Sequence, residues 1–254
     1  MTQERIIIIE GNAFRVTISD DHKALQSAYA EGRAVIGLWN RKLPDQSLAP
    51  AQYVVENLDD VDERLLERAV RRRKKLPWQI GVTDRLIIRE FTKEDWRAIP
   101  GEPLRLSEEK AFCNPEALEA YIRFQYGFYE YGIWALEERS LGRLVGMAGI
   151  TNLEDREFES LIKENDSPVE LGYHIFSPYR RLGYGKEGSK AILDYCAREI
   201  AERVYARIDK DNQPSIRLAK SLGFELMASA CNGSASRLCL YEWNFSSHTE
   251  SASP

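Results

Sequence analysis

Residues 177–188 read S-P-Y-R-R-L-G-Y-G-K-E-G, placing Arg180, Arg181 and Lys186 around two closely spaced glycines, Gly183 and Gly185, just ahead of a helix-like pattern. Glycines in such a turn permit unusual dihedrals and let a ligand approach the backbone closely. Amides at a helix start point outward together and carry the positive end of its dipole, which suits a phosphate, and the three cations add charge. The Walker pattern G-x-x-x-x-G-K-[ST] does not occur. Gly183, Gly185 and Gly188 satisfy G-x-G-x-x-G literally, but that string is weak alone. No acidic ribose partner ~20 residues further on follows clearly within a parallel strand–helix–strand unit. Taken alone, the turn serves a phosphate or a plain change of direction.

The elements around this turn come from a chain of 254 residues, 43% hydrophobic and 30% charged, with room for one large domain or two modest ones. Its net charge of −5 argues against nucleic-acid binding through a broadly basic surface. No run of ~18 apolar residues predicts a membrane span. The apolar run Ile6–Ile9 reads as a buried strand and is too short for a secretory leader. Cys113, Cys196, Cys231 and Cys239 form no C-x-x-C pair and the chain has three histidines, so no metal site is expected. Reduced thiols in a cytoplasmic protein are the expectation, with Cys196 a small core residue on a helix.

Hydrophobic patterning predicts two parts. Residues 1–80 alternate strands (13–21, 34–39, 51–57) with helices (22–32, 59–75), a small, mostly parallel, Rossmann-like α/β unit. Six of the eight residues 68–75 are basic, which reads as a solvated helix end suited to the dipole rather than a nucleic-acid patch. Pro77 and Gly81 mark a junction. From residue 84 follow a strand (85–91), a helix opened by Thr92, a second helix from Pro115, a hairpin turning at 140–142 and a strand ending at Phe176. The glycine turn and its helix come next, then a strand (203–209), a helix (212–223) and two strands. Residues 246–254 read as a disordered tail.

The order and spacing of these elements carry a resemblance. R-R-L-G-Y-G fits the R/Q-x-x-G-x-G/A signature of the GNAT acetyltransferase superfamily, with Arg180, Gly183 and Gly185 in the defining places. It follows the strand E-L-G-Y-H-I, and N-Q-P-S-I-R-L-A-K-S-L-G-F resembles the superfamily's N-x-x-S/A…GF helix. The resemblance spans residues 84–245 and looks most like the ribosomal-protein-alanine N-acetyltransferase branch, to which residues 1–80 are extra. It implies an α+β fold with a mixed, mostly antiparallel sheet, flanking helices and an acetyl-CoA site. The pyrophosphate would rest on amides of Leu182, Gly183, Tyr184, Gly185 and Lys186, with Arg180 and Arg181 nearby. The pantetheine would pair with backbone near Ile175 and Phe176 where two strands splay, facing Asn212.

Acetyl transfer needs an unprotonated amine, so a carboxylate within reach serves as base, and the departing thiolate gains from a proton donor. By the resemblance Glu170 is the base; by its residue type it is equally a partner for an arginine. Many superfamily members place a tyrosine four residues after the Ser/Ala position, but this chain has Ala219 there. Ser215 is therefore the expected acid, with Tyr173 as the alternative; as a bare residue Ser215 could simply cap its helix. His174 has the opposite side-chain direction to Tyr173 and is read as structural.

The acceptor is an amine, borne by a small molecule or a protein N-terminus. Seven aromatics in 121–134 and the acidic loop 151–168 both suit an ammonium, and both have plain structural explanations. The strand end at Asp20 and Asp21 resembles α/β units in which such carboxylates bind a metal. The expectation is instead a non-catalytic unit supporting dimerisation or substrate choice. A competing reading of the whole chain is a CoA-binding adaptor without chemistry, which Ala219 keeps open.

Overall fold

The computed structural model describes residues 1–43, 45–101, 103, 109–112, 114–153, 158, 161–162, 168–229 and 237–245. The chain divides into two compact units, Met1–Trp78 and Gln79–Pro254.

The first unit is a four-stranded sheet in the order β1 (Thr2–Ile9), β2 (Asn12–Ser19), β3 (Ala34–Leu38), β4 (Tyr53–Val55). β1 and β2 form an antiparallel hairpin; β2–β3 and β3–β4 are parallel. Helix α1 (His22–Ala30) buries Leu25 and Ala28 against Val35. Helix α2 (Glu63–Lys74) sets Leu66, Ala69 and Val70 against Val16, Ile18, Ala34 and Ile36. The expectation of a buried 6–10 strand needs correcting, because Ile6 and Ile8 are 66% and 72% exposed. β1 is an edge strand, and alternation sends Ile7 and Ile9 into the core while its other face stays open. The basic end of α2 is largely spent within the unit. Arg71 is buried and donates to Glu67 (2.7 Å) and the Pro77 carbonyl (2.8 Å), and the Arg73 guanidinium lies 3.9 Å from the Tyr29 ring centroid.

The second unit carries an eight-stranded sheet whose elements run as follows. β5 (Gln79–Val82) and β6 (Leu86–Arg89) are followed by α3 (Pro115–Tyr121), β7 (Ile133–Glu138), β8 (Arg143–Asn152) and β9 (Val169–Ile175). α4 (Tyr184–Glu199), β10 (Arg203–Asp209), α5 (Gln213–Ser221), β11 (Glu225–Ser229) and β12 (Leu238–Asn244) complete it. The spatial order is β11-β12-β10-β9-β8-β7-β6-β5. β9–β10 is the parallel pair; the other neighbours are antiparallel.

Three local expectations change. Residues 79–82, read as part of the junction, form the edge strand β5, held by antiparallel pairing to β6. The helix opened by Thr92 is a 3-10 turn, Lys93–Ala98; its Asp95 is drawn to Arg89 (2.8 Å) as well as to the Thr92 amide (2.6 Å). The aromatic stretch after α3 continues as a π-helix, Ile122–Tyr129, a form enriched at functional sites. Among the described residues no helix is long and apolar enough to cross a membrane.

Candidate active site

β9 leaves the sheet on one side only. Its pairing with β8 runs through seven residues, from Asn152↔Val169 to Gly146↔Ile175, whereas its pairing with β10 is the single pair Tyr205↔Glu170. Beyond that pair the two strands part, leaving the outer edge of β9 without ladder partners toward Ile175. The Phe176 amide donates to the Val145 carbonyl at 3.0 Å, so it belongs to the β8 side. Backbone direction alternates along a strand, so Tyr173 and Ile175 present their groups to the splay. Phe176 is therefore corrected: it is buried and its amide is committed. The Ile175 carbonyl accepts from Arg180 Nε at 2.8 Å, which folds the chain back after the strand.

The turn that follows is built from left-handed residues. Arg181 has φ +63° and Gly183 φ +89°, a region that favours glycine at the second position and costs about 1 kcal/mol at the first. Gly183 is the N-cap of α4, and no side chain caps that helix. Its first-turn amides are thus available to a ligand, with Arg181, Leu182 and Lys186 exposed around them. Gly188 serves packing, whereas the space at Gly185 would admit a β-carbon. A β-carbon on Gly185 would sit 3.4 Å from Ile175 Cγ1, and one on Gly188 would press on Leu136 at 3.1 Å.

Of the proposed chemical groups, the structure joins Tyr173 and Ser215. The Tyr173 hydroxyl donates to Ser215 Oγ at 2.9 Å, linking β9 to the first turn of α5. Burial raises the Tyr173 phenol above its ordinary value, and the Ser215 hydrogen bond opposes part of that rise. Asn212 caps α5, its Oδ1 accepting from the Ser215 amide at 3.3 Å. Ala219 is buried where a tyrosine was the alternative.

Glu170 is not a free base. Its Oε2 accepts from Arg207 Nε at 2.7 Å and its Oε1 from Arg207 Nη2 at 2.5 Å, and the carboxylate is buried. Both oxygens are engaged by one guanidinium, which leaves part of their acceptor capacity but ties the carboxylate to Arg207. Sequence reading missed Arg207, although a charged residue inside the apolar strand R-V-Y-A-R-I-D was a visible signal. His174 is buried next to Arg180, 3.4 Å from Nη2 to Nε2. Cys196 is fully buried, and burial pushes its thiol up to about 12, leaving it inert.

The aromatic stretch divides. Tyr121, Tyr126 and Trp134 are core residues, whereas Phe124 and Phe128 are exposed and the Tyr131 hydroxyl donates to Asn152 at 2.5 Å. The acidic residues of 154–157, 159–160 and 163–167 lie outside the described residues, as do Cys113, Cys231 and the 246–254 tail. A shallow cavity of about 440 Å³ is lined by Arg89, Asp95, Arg97, Arg143 and Tyr179, but Arg89 is already paired with Asp95 and Glu137. Among the described residues no cluster of His, Cys, Asp or Glu is placed to hold a metal. In the first unit, Asp20 pairs with the amino group of Met1 and Asp21 caps α1, so neither is set out as a metal ligand.

Comparison with known proteins agrees with this architecture. The family model for the acetyltransferase (GNAT) domain matches residues 85–225, more than half of the chain. The Bacillus subtilis protein YkkB is 30% identical over 96 residues, 37% of this chain and 51% of YkkB, so the match spans about half of that relative's length. The N-acetyltransferase YoaA of the same species is 28% identical over 152 residues, 56% of this chain and 81% of YoaA. The spermidine/spermine N-acetyltransferase SpeG of Vibrio cholerae superposes with a TM-score of 0.50 over 66% of this chain and 99% of SpeG, and at 14% identity that likeness concerns the fold. The chain belongs to the GNAT acetyltransferase family.

Proposed function

We propose that the protein transfers an acetyl group from acetyl-CoA to a primary amine by direct attack of the amine on the thioester. The observation that carries this reading is the uncapped, cation-rich start of α4 beside the splay between β9 and β10. The amides of Leu182 to Lys186 receive the pyrophosphate, aided by Arg180, Arg181 and Lys186. The pantetheine lies along β9 at Tyr173 and Ile175, next to Asn212.

In the reaction the amine nitrogen forms a bond to the thioester carbonyl carbon, and the carbon–sulfur bond breaks with its electron pair left on sulfur. A backbone N–H on β9 steadies the oxyanion. The Tyr173–Ser215 pair supplies a proton to the thiolate, Ser215 donating and the Tyr173 phenol replacing what Ser215 gives, and the proton shed by the amine nitrogen returns through water to Tyr173, so that the phenol is restored. Glu170 takes the amine's proton only when Arg207 releases an oxygen; while the pair is closed, its part is to hold Arg207 in charge balance beneath the splay. The acceptor is a protein N-terminus or a small-molecule amine. Residues 1–80 act as a non-catalytic unit for substrate choice or dimerisation.

Acetyl-CoA consumption against a panel of polyamines, amino acids and N-terminal peptides tests the reading. Turnover with at least one amine, reduced in Ser215→Ala and Tyr173→Phe, supports it. A second reading, a CoA-binding adaptor without chemistry, rests only on Ala219 standing where many superfamily members carry a tyrosine. Tight acetyl-CoA binding with no acetylation of any amine selects that one, and absence of binding removes both.

A further inference from the structure

The glycine turn before α4 is tied to the β5–β6 hairpin, about a hundred residues earlier in the chain. Arg85 reaches the turn through both its side chain and its backbone. Its Nη1 donates to the Leu182 carbonyl at 2.9 Å, its Nε to Glu187 Oε2 at 2.7 Å, and its backbone amide to Glu187 Oε1 at 3.0 Å. Its guanidinium also lies 4.7 Å from the Tyr184 ring centroid. Thr83 Oγ1 donates to Glu187 Oε1 at 2.6 Å. Arg139 secures the hairpin in turn, donating to the Thr83 carbonyl at 2.8 Å. These contacts help to offset the cost of about 1 kcal/mol that the left-handed conformation of Arg181 carries.

Glu187 is the second half of the argument. A carboxylate in the first turn of a helix is drawn to the same amides and the same dipole as a phosphate. Burial alone would raise the Glu187 carboxyl, but hydrogen bonds from Thr83 and Arg85 hold it below its ordinary value, so it remains an anion. Both oxygens are turned into the hairpin by these bonds and do not close on the helix start.

We propose that Thr83 and Arg85 are positioning residues for the donor site: they fix the backbone of the phosphate turn and sequester Glu187, which otherwise competes with the pyrophosphate for the amides of α4. The inference rests on the acetyl-CoA reading above and adds a residue pair that the turn's own sequence does not contain.

The test uses the full chain and two donors, acetyl-CoA and S-acetylpantetheine, which carries the same thioester without the pyrophosphate. Arg85→Gln is expected to weaken acetyl-CoA binding about tenfold, the scale of a lost charge-assisted hydrogen bond. The kcat/KM for S-acetylpantetheine stays within twofold of wild type. Arg85→Gln combined with Glu187→Gln recovers part of the acetyl-CoA affinity, because the released competitor is gone; a purely structural role for Arg85 gives no such recovery. Should Arg85→Gln fail to fold by thermal melting, Thr83→Val decides the matter with a smaller loss of about threefold on acetyl-CoA alone. Unchanged acetyl-CoA affinity in the variant, equal losses on both donors, or no recovery in the double variant overturns the inference. A wild-type chain that binds no acetyl-CoA overturns instead the donor assignment on which it rests.

Discussion

The two units each contain a strand that turns into a helix, and they finish the helix in opposite ways. In the first, β2 leads to α1, and Asp21 fills the helix start, accepting from the amides of Lys23 (2.7 Å) and Ala24 (3.0 Å). In the second, β9 leads to α4 through Gly183, which has no side chain to do this. One helix terminus is capped by a side chain of the chain itself; the other carries no side-chain cap, and in the proposed function an anion takes that place. Two strand-to-helix turns of like topology thus differ in whether a side chain fills the helix start, and the proposed donor site uses the one left open. In α4 even the nearby Glu187 is kept occupied by Thr83 and Arg85.

The comparison breaks most sharply if the open terminus is given a cap. Gly183→Asp adds a carboxylate at the N-cap, forces a β-carbon into a left-handed backbone and brings it 3.2 Å from Arg85 Nη2. Acetyl-CoA affinity, read by calorimetry, is expected to fall about a hundredfold or more, the combined scale of backbone strain and of losing charge-assisted bonds to the anion. The next effect concerns stability. Glu170→Gln removes the bidentate carboxylate from the half-buried Arg207 and is expected to cost about 2 kcal/mol in urea unfolding, the scale of charge-assisted hydrogen bonds lost, and a companion Arg207→Met restores part of it.

Tyr173→Phe breaks the link to Ser215, and kcat is expected to drop about tenfold while acetyl-CoA affinity holds. Because burial raises the Tyr173 phenol, it stays protonated across neutral pH; its contribution to stability is complete below the ordinary tyrosine value of about 10 and is lost as pH rises through the raised one. The smallest effect belongs to the capped helix. Asp21→Ala is expected to lower the melting temperature of the first unit by a few degrees without moving acetyl-CoA affinity. Hydrogen bonds from the Ala24 and Lys23 amides keep the Asp21 carboxyl low, so its contribution is present above about pH 4 and disappears as pH falls through the lowered value.

What was legible in the sequence was what is local. The glycines of the turn, the alternation of β9 and the helix after it are written in adjacent residues, and so the family and most elements of the second unit could be read. What failed was long-range. Glu170 could be read as a base or as a partner for an arginine, but which arginine stayed hidden, because Arg207 lies 37 positions on and the β9–β10 neighbourhood that joins them is a tertiary fact. Thr83 and Arg85 carried no signal because nothing in V-T-D-R-L-I-I-R says that a helix start 100 residues later rests on it. The open face of β1 was hidden for the same reason: four successive isoleucines look buried until the structure shows Ile6 and Ile8 on an exposed face. The π-helix after α3 was also invisible, since apolar spacing alone does not separate it from an α-helix.

Hydrogen–deuterium exchange of the full chain with and without acetyl-CoA tests the central claim most directly. The amides of residues 182–186 are expected to gain protection on binding, while those of Lys23 and Ala24, already bonded to Asp21, do not change. Binding of acetyl-CoA with no gain of protection at 182–186 contradicts the assignment of the open α4 terminus as the donor site.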